Sequence, residues 1–126
     1  MLRSVRHDQK NKMNILDKII ADKRKEVDLK KSLIPVSQLE KSVLMERNTV
    51  SLASALQNST SGIIAEHKRR SPSKSVINQD LNVQDVAKGY ESAGVCGMSV
   101  LTDGKYFGGS LDDLLLARAS ANIPLL

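Results

Sequence analysis

"GIIAEHKRRSPSKS", residues 62–75, starts as a short apolar run and ends in charge. A strand that closes on a glutamate and a lysine and then runs into Arg-Arg-Ser-Pro-Ser fits two settings. One is an edge strand kept soluble by charges; the other is the mouth of a binding site. The stretches on either side bear on the choice. After the loop, "VQDVAKGYESAG" (83–94) has the period of an amphipathic helix and ends in glycine, and "VCGMSVLTD" (95–103) reads as a second strand. "GKYFGG" (104–109) reads as a glycine-rich loop. "SLDDLLLARASAN" (110–122) reads as a helix capped by Ser110, with Asp112 and Asp113 in its first turn, and "IPLL" (123–126) opens a third strand. Strand, helix, strand, helix, strand with short links predicts parallel strands with crossover helices. The strand-to-helix links are the longer ones and are rich in Gly, Ser and charge. In parallel α/β folds that is the side that carries the binding site.

The 45 or so residues before this stretch have another character. "NILDKIIADKRKEVDLKK" (14–31) places Ile15, Ile19, Ile20 and Val27, with Leu16 and Leu29 less regularly, near one helical stripe. Asn14 is its expected N-cap and Asp17 lies in the first turn, so a helix packed on its own domain is predicted. Pro35 ends it. "SQLEKSVLMER" (37–47) reads as a second helix, with Ser37 as cap and Glu40 closing a capping box. The expected organisation is a polar leader over 1–12, a helical extension over 13–60, and the first part of a barrel or sheet over 61–126.

Composition narrows the function classes. The chain has 126 residues, 40% hydrophobic and 26% charged, which suits one globular domain. Its aromatics are only Tyr90, Tyr106 and Phe107, too few for stacking unpaired bases. One cysteine, Cys96, excludes an internal disulfide and fits a cytoplasmic protein. No run approaches the roughly 20 apolar residues of a membrane span. The formal charge of +5 is concentrated in residues 1–31, which carry ten Lys/Arg against five Asp/Glu. Lys23, Arg24, Lys25, Lys30 and Lys31 could attract a polyanion, but the interspersed acids favour a solvated helix face, so neither nucleic acid nor membrane is an expected partner.

Side chains alternate across a strand, so Ile64, Glu66 and Lys68 share one face of the first strand while Ile63, Ala65 and His67 share the other. If the charged pair takes the axial face of a barrel, Glu66 and Lys68 stand together at the carboxyl end. There the lysine could bind a carboxylate or phosphate, or act as an acid, with the glutamate aiming it. A solvated ion pair on an edge strand is the plain alternative. The same alternation turns His67 and Cys96 toward the helices, as packing groups. Phe107, on the loop after the second strand, could cover an apolar ring. Neither "RRSPSKS" nor "DGKYFGG" has a phosphate-cradling glycine pattern.

With those residues in view, "IIAEHKRRSPSK", "SVLTDGKYFGGSLDDLLLAR" and "IPLL" resemble the indole-3-glycerol phosphate synthase family, from about Met13 to Leu126. The resemblance implies a (β/α)8 TIM barrel, here its N-terminal helical extension plus about two and a half β/α units. It implies a lyase of tryptophan biosynthesis that needs no metal and no organic cofactor, acting on a small anionic aromatic substrate. By motif, Lys68 would contact the substrate carboxylate and Glu66 would position it. Ser71 and Pro72 would belong to the pocket loop, and Leu101 and Phe107 would touch the anthranilate ring. His67 stands where an apolar residue is common. The chain stops inside the third strand, which would leave an apolar sheet edge exposed. The expectation is therefore the front part of a larger barrel, inert or nearly so by itself. The alternative is a non-catalytic fragment that needs a complementary chain or associates with itself through the third strand.

Overall fold

The computed structural model describes residues 13–126; the leader expected over 1–12 lies outside the described residues. Two compact units are present, one ending at Glu46 and one spanning Arg47–Leu126.

In the first unit, α1 spans Ile15–Leu33. Asn14 caps it as expected: its side chain accepts from the Asp17 amide (2.8 Å), and Asp17 accepts in return from the Asn14 amide (3.3 Å). Glu26 lies between Lys23 (2.6 Å) and Lys30 (2.7 Å), and hydrogen bonds from Lys23 and then Lys30 draw its carboxyl down to about 2. Two of the five basic residues that could have met a polyanion are thus occupied within the helix. The predicted packed face is not seen inside this unit: no residue of α1 is buried, and Leu16 and Leu29 are each 60% exposed. The second predicted helix is shorter and broken. Helix α2 covers only Val36–Leu39 and a 3-10 turn covers Val43–Glu46. Pro35, not Ser37, stands at the N-cap, since its fixed φ of −66° and missing N–H suit a helix start.

In the second unit, α3 (Leu52–Gln57) is capped by Ser51 and precedes β1 (Ile64–His67). Then follow α4 (Val83–Ser92), β2 (Gly97–Val100), α5 (Gly104–Phe107) and α6 (Leu111–Ser120). Strands β1 and β2 pair in parallel, with Glu66 opposite Ser99 and His67 opposite Val100. The third strand is represented by a parallel bridge between Met98 and Leu125. Met98 donates to the Pro124 carbonyl and accepts from the Leu126 amide, both at 2.9 Å, so β2 is central. Arg118 leads the chain from α6 into this segment, donating to the carbonyls of Ala121 and Ile123.

One face of the sheet carries the core. Val83 and Ala87 of α4, Met98 and Val100 of β2, and Ala117 and Ala121 in and after α6 form one buried cluster, flanked by Tyr90 and Leu114. Small residues on the helices let them approach the sheet closely, and Met98 fills the space between. The other face is open at its carboxyl end. At its amino end Leu52 of α3 lies against it so closely that a Cβ on Gly97 would fall 2.7 Å from the Leu52 Cδ1. Among the described residues, no helix is long and apolar enough to cross a membrane.

Candidate active site

The alternation read from the sequence holds at the end of β1. His67 is buried, 2% exposed, on the helix side, while Glu66 and Lys68 turn to the open face. The Lys68 Nζ lies 2.8 Å from the Glu66 Oε1, with the two side chains 31% and 49% exposed. A pair this accessible contributes about 0–1 kcal/mol, so it is a poised charge and not a structural anchor. The same Nζ stands 5.7 Å from the centroid of the Phe107 ring, within reach of its negative face. Three of the residues singled out by sequence, Glu66, Lys68 and Phe107, therefore meet.

Phe107 does not sit on a loop, as the glycines of "GKYFGG" suggested, but ends the one-turn helix α5. Asp103 caps that turn by accepting from the Tyr106 amide (2.8 Å), and Gly108 closes it at φ +65°, a left-handed backbone that favours glycine. Leu101 is half-buried at the end of β2, its amide donating to the His67 carbonyl (3.3 Å). Ser71 and Pro72 belong to a tight turn of their own. Ser71 and Lys74 exchange backbone hydrogen bonds (2.8 and 3.1 Å), and the Ser71 hydroxyl accepts from the Lys74 amide (3.1 Å).

Three charged residues of this region were not singled out as site residues from the sequence. Arg69 forms a two-pronged ion pair with Asp113 of α6, Nε to Oδ2 and Nη2 to Oδ1, both 2.8 Å. The Arg69 guanidinium holds the Asp113 carboxyl below its ordinary range against the opposing effect of burial, and Asp113 in turn raises Arg69. Arg70 donates from its guanidinium to the carbonyls of Gly104 (2.7 Å) and Lys105 (3.2 Å). Beside these arginines a cavity of about 380 Å3 is lined by Arg69, Arg70, Gln79, Gly104, Gly108 and Gly109. The signal that could have found them is the doubled arginine itself. An aspartate in a first helical turn, where the sequence puts Asp113, ordinarily reads as a partner of the helix dipole.

Two buried titratable groups, one at each end of the sheet, lie outside this cluster. Cys96 is buried but stands apart from the main cluster, its Sγ 3.9 Å from the Ser61 hydroxyl. Hydrogen bonds, that of Ser59 foremost, hold its thiol below the ordinary 9.0. Neither ring nitrogen of His67 has a hydrogen-bond partner among the described residues. Burial, helped by the nearby Arg69 and opposed by Asp113, pushes its pKa below 6.5. The unfolded chain therefore takes up a proton as the pH falls through 6.5 while the folded chain does not, and stability drops on the acid side of that value. Asp113 adds its own loss further down, below its ordinary 3.8, as the pH falls through its lowered value. Urea unfolding at pH 7.5, 6.0 and 5.0 should show declining stability, and His67→Leu should flatten that slope. An unchanged slope in a folded variant would assign the loss to other groups.

The sequence matches the indole-3-glycerol phosphate synthase family over residues 16–126. The chain belongs to that family. Among curated relatives, indole-3-glycerol phosphate synthase of Bacteroides thetaiotaomicron is 45% identical over 113 residues, which cover 90% of this chain and 44% of the relative. Those of Bacillus mycoides and Bacillus cereus are each 47% identical over 113 residues, 89% of this chain and 41% of theirs. The chain thus spans less than half the length of the synthases it matches. The matched stretch contains every site residue named above, from Glu66 and Lys68 to Asp113.

Proposed function

We propose that these residues form the first-strand part of an indole-3-glycerol phosphate synthase site on a (β/α)8 barrel. The reaction is ring closure of 1-(2-carboxyphenylamino)-1-deoxyribulose 5-phosphate. A bond forms between the aryl carbon that bears the carboxylate and the sugar carbonyl carbon; carbon dioxide and then water leave. The observation that carries this reading is the Lys68 ammonium held between the Glu66 carboxylate and the Phe107 ring at the carboxyl end of β1. An ammonium in that place suits the substrate's carboxylate, and Glu66, 2.8 Å away, aims it. Phe107 and Leu101 suit the aromatic ring, and the turn at Ser71 and Pro72 suits the pocket rim. Such a site needs no metal or organic cofactor, because the substrate itself holds the carbanion-equivalent carbon and the electrophile. The compartment we assign is the cytoplasm.

Turnover also needs groups for proton transfer and for the phosphate, which barrels of this kind gather from several strands. The 126 residues alone should therefore show no substantial turnover. The test is a chimera in which residues 13–126 replace the matching stretch of the Bacteroides thetaiotaomicron relative, followed by the appearance of indole absorbance and fluorescence. A folded chimera without turnover would sink the proposed activity, and substantial turnover by the 126 residues alone would sink the division of the site.

A further inference from the structure

Lys68 is held by little of its own. Its ion pair and its ring contact are each worth about 1 kcal/mol or less at this exposure, too little to fix a long side chain in one place. What is rigid is the residue after it. The Arg69 guanidinium engages Asp113 with two prongs and gives its Nη1 to the carbonyls of Gln79 and Leu81, both at 3.1 Å. The Arg69 carbonyl accepts from the amides of Ile77 and Asn78 (2.9 Å each), and the Asn78 side chain donates to the Lys68 carbonyl (3.4 Å). At Asp113 the Ser110 hydroxyl accepts from the backbone amide, fixing the first turn from which the carboxylate projects. The ion pair is 18% and 10% exposed, so water competes weakly for it.

We infer that Asp113 is a positioning residue, acting through Arg69 to fix the end of β1 and so the place of the Lys68 ammonium against Phe107. The loop 69–82 is thereby closed on Arg69 at both levels, backbone and side chain, and tied to α6. Arg69 reaches Asp113 on α6 while Lys68 pairs with the half-exposed Glu66, so the clamp grips from the helix side and leaves the lysine on the open side. Arg70 completes the arrangement from the other flank: its amide donates to the Phe107 carbonyl (3.3 Å), which ties the residue that carries the ring to the loop that follows Lys68. The inference rests on the proposed function only in taking Lys68 as the group that meets substrate.

The test needs no substrate, so it can fail while the chimera turns over, and the reverse. In the isotope-labelled 126-residue chain, Asp113→Asn keeps the shape and removes the charge, while Arg69→Lys keeps the charge and removes the fork. NMR reads three things: amide exchange at Ile77 and Asn78, amide exchange at Met98 and Val100 in the core, and the Lys68 ε-methylene signal, displaced by the Phe107 ring. Both variants should exchange at Ile77 and Asn78 about tenfold faster or more, the factor matching loss of one charge-assisted hydrogen bond. The Lys68 signal should move to its position in a free lysine while the core amides keep their rates. Unchanged loop amides and an unchanged Lys68 signal would overturn the inference. So would core amides accelerated by the same factor, or two variants that fail to fold, since either makes the ion pair a support of the whole fold and not of the lysine.

Discussion

Replacing Lys68 by alanine in the chimera is expected to lower kcat/KM by about 10²–10³, the loss typical of removing one preorganised charge from a reacting centre. The same change should alter the stability of the 126-residue chain by less than about 1 kcal/mol, because the Lys68–Glu66 pair is open to water. That separation of effects is what distinguishes a functional charge from a structural one. Lys68→Arg should recover only part of the activity, since a planar fork is not placed like a compact ammonium over the same ring. Steady-state kinetics of the two variants beside urea unfolding decides the matter. If Lys68→Ala turns over within about threefold of the parent, the ammonium is not at the reacting centre, and the edge-strand explanation of "EHK" returns.

The largest effect on stability is expected at Met98. It is 0% exposed, lies on the central strand, and touches the cluster that joins α4 and α6 to the sheet. Met98→Ala should cost about 2–5 kcal/mol, the sum of lost apolar transfer and an unfilled cavity among alanines too small to close it. Met98→Leu, which conserves volume, should cost less than about 1.5 kcal/mol. For a unit with so few large buried side chains, a loss of that size is enough to abolish a cooperative unfolding transition, which circular dichroism on heating would register. A Met98→Ala chain that melts within about 1 kcal/mol of the parent would mean that the core does not depend on this side chain.

Much of the site was legible because its signals are local. The two-residue period of "IIAEHK" puts Glu66 and Lys68 on one face and His67 on the other, since alternation is a property of an extended backbone. Asn14 and Ser110 are caps because a short polar side chain just before an apolar period has a free amide within reach three residues on. Ser37 had the same signature and failed, because Pro35 sets the backbone two residues earlier. "GKYFGG" was read as a loop because glycine lowers helix propensity, yet Asp103 caps one turn there and Gly108 ends it.

Motifs within stretches of about a dozen residues were enough for the alternation of strands and crossover helices after residue 61, the faces of the first strand, and the family, but not for the one-turn helix α5. Only the tertiary structure decided that Phe107 stands over Lys68 and that Arg69 reaches Asp113, 44 positions away. An ion pair between distant residues leaves no period and no spacing to read. It exists because a strand end, a loop and a helix start are brought within hydrogen-bond distance, where burial makes each charge need the other.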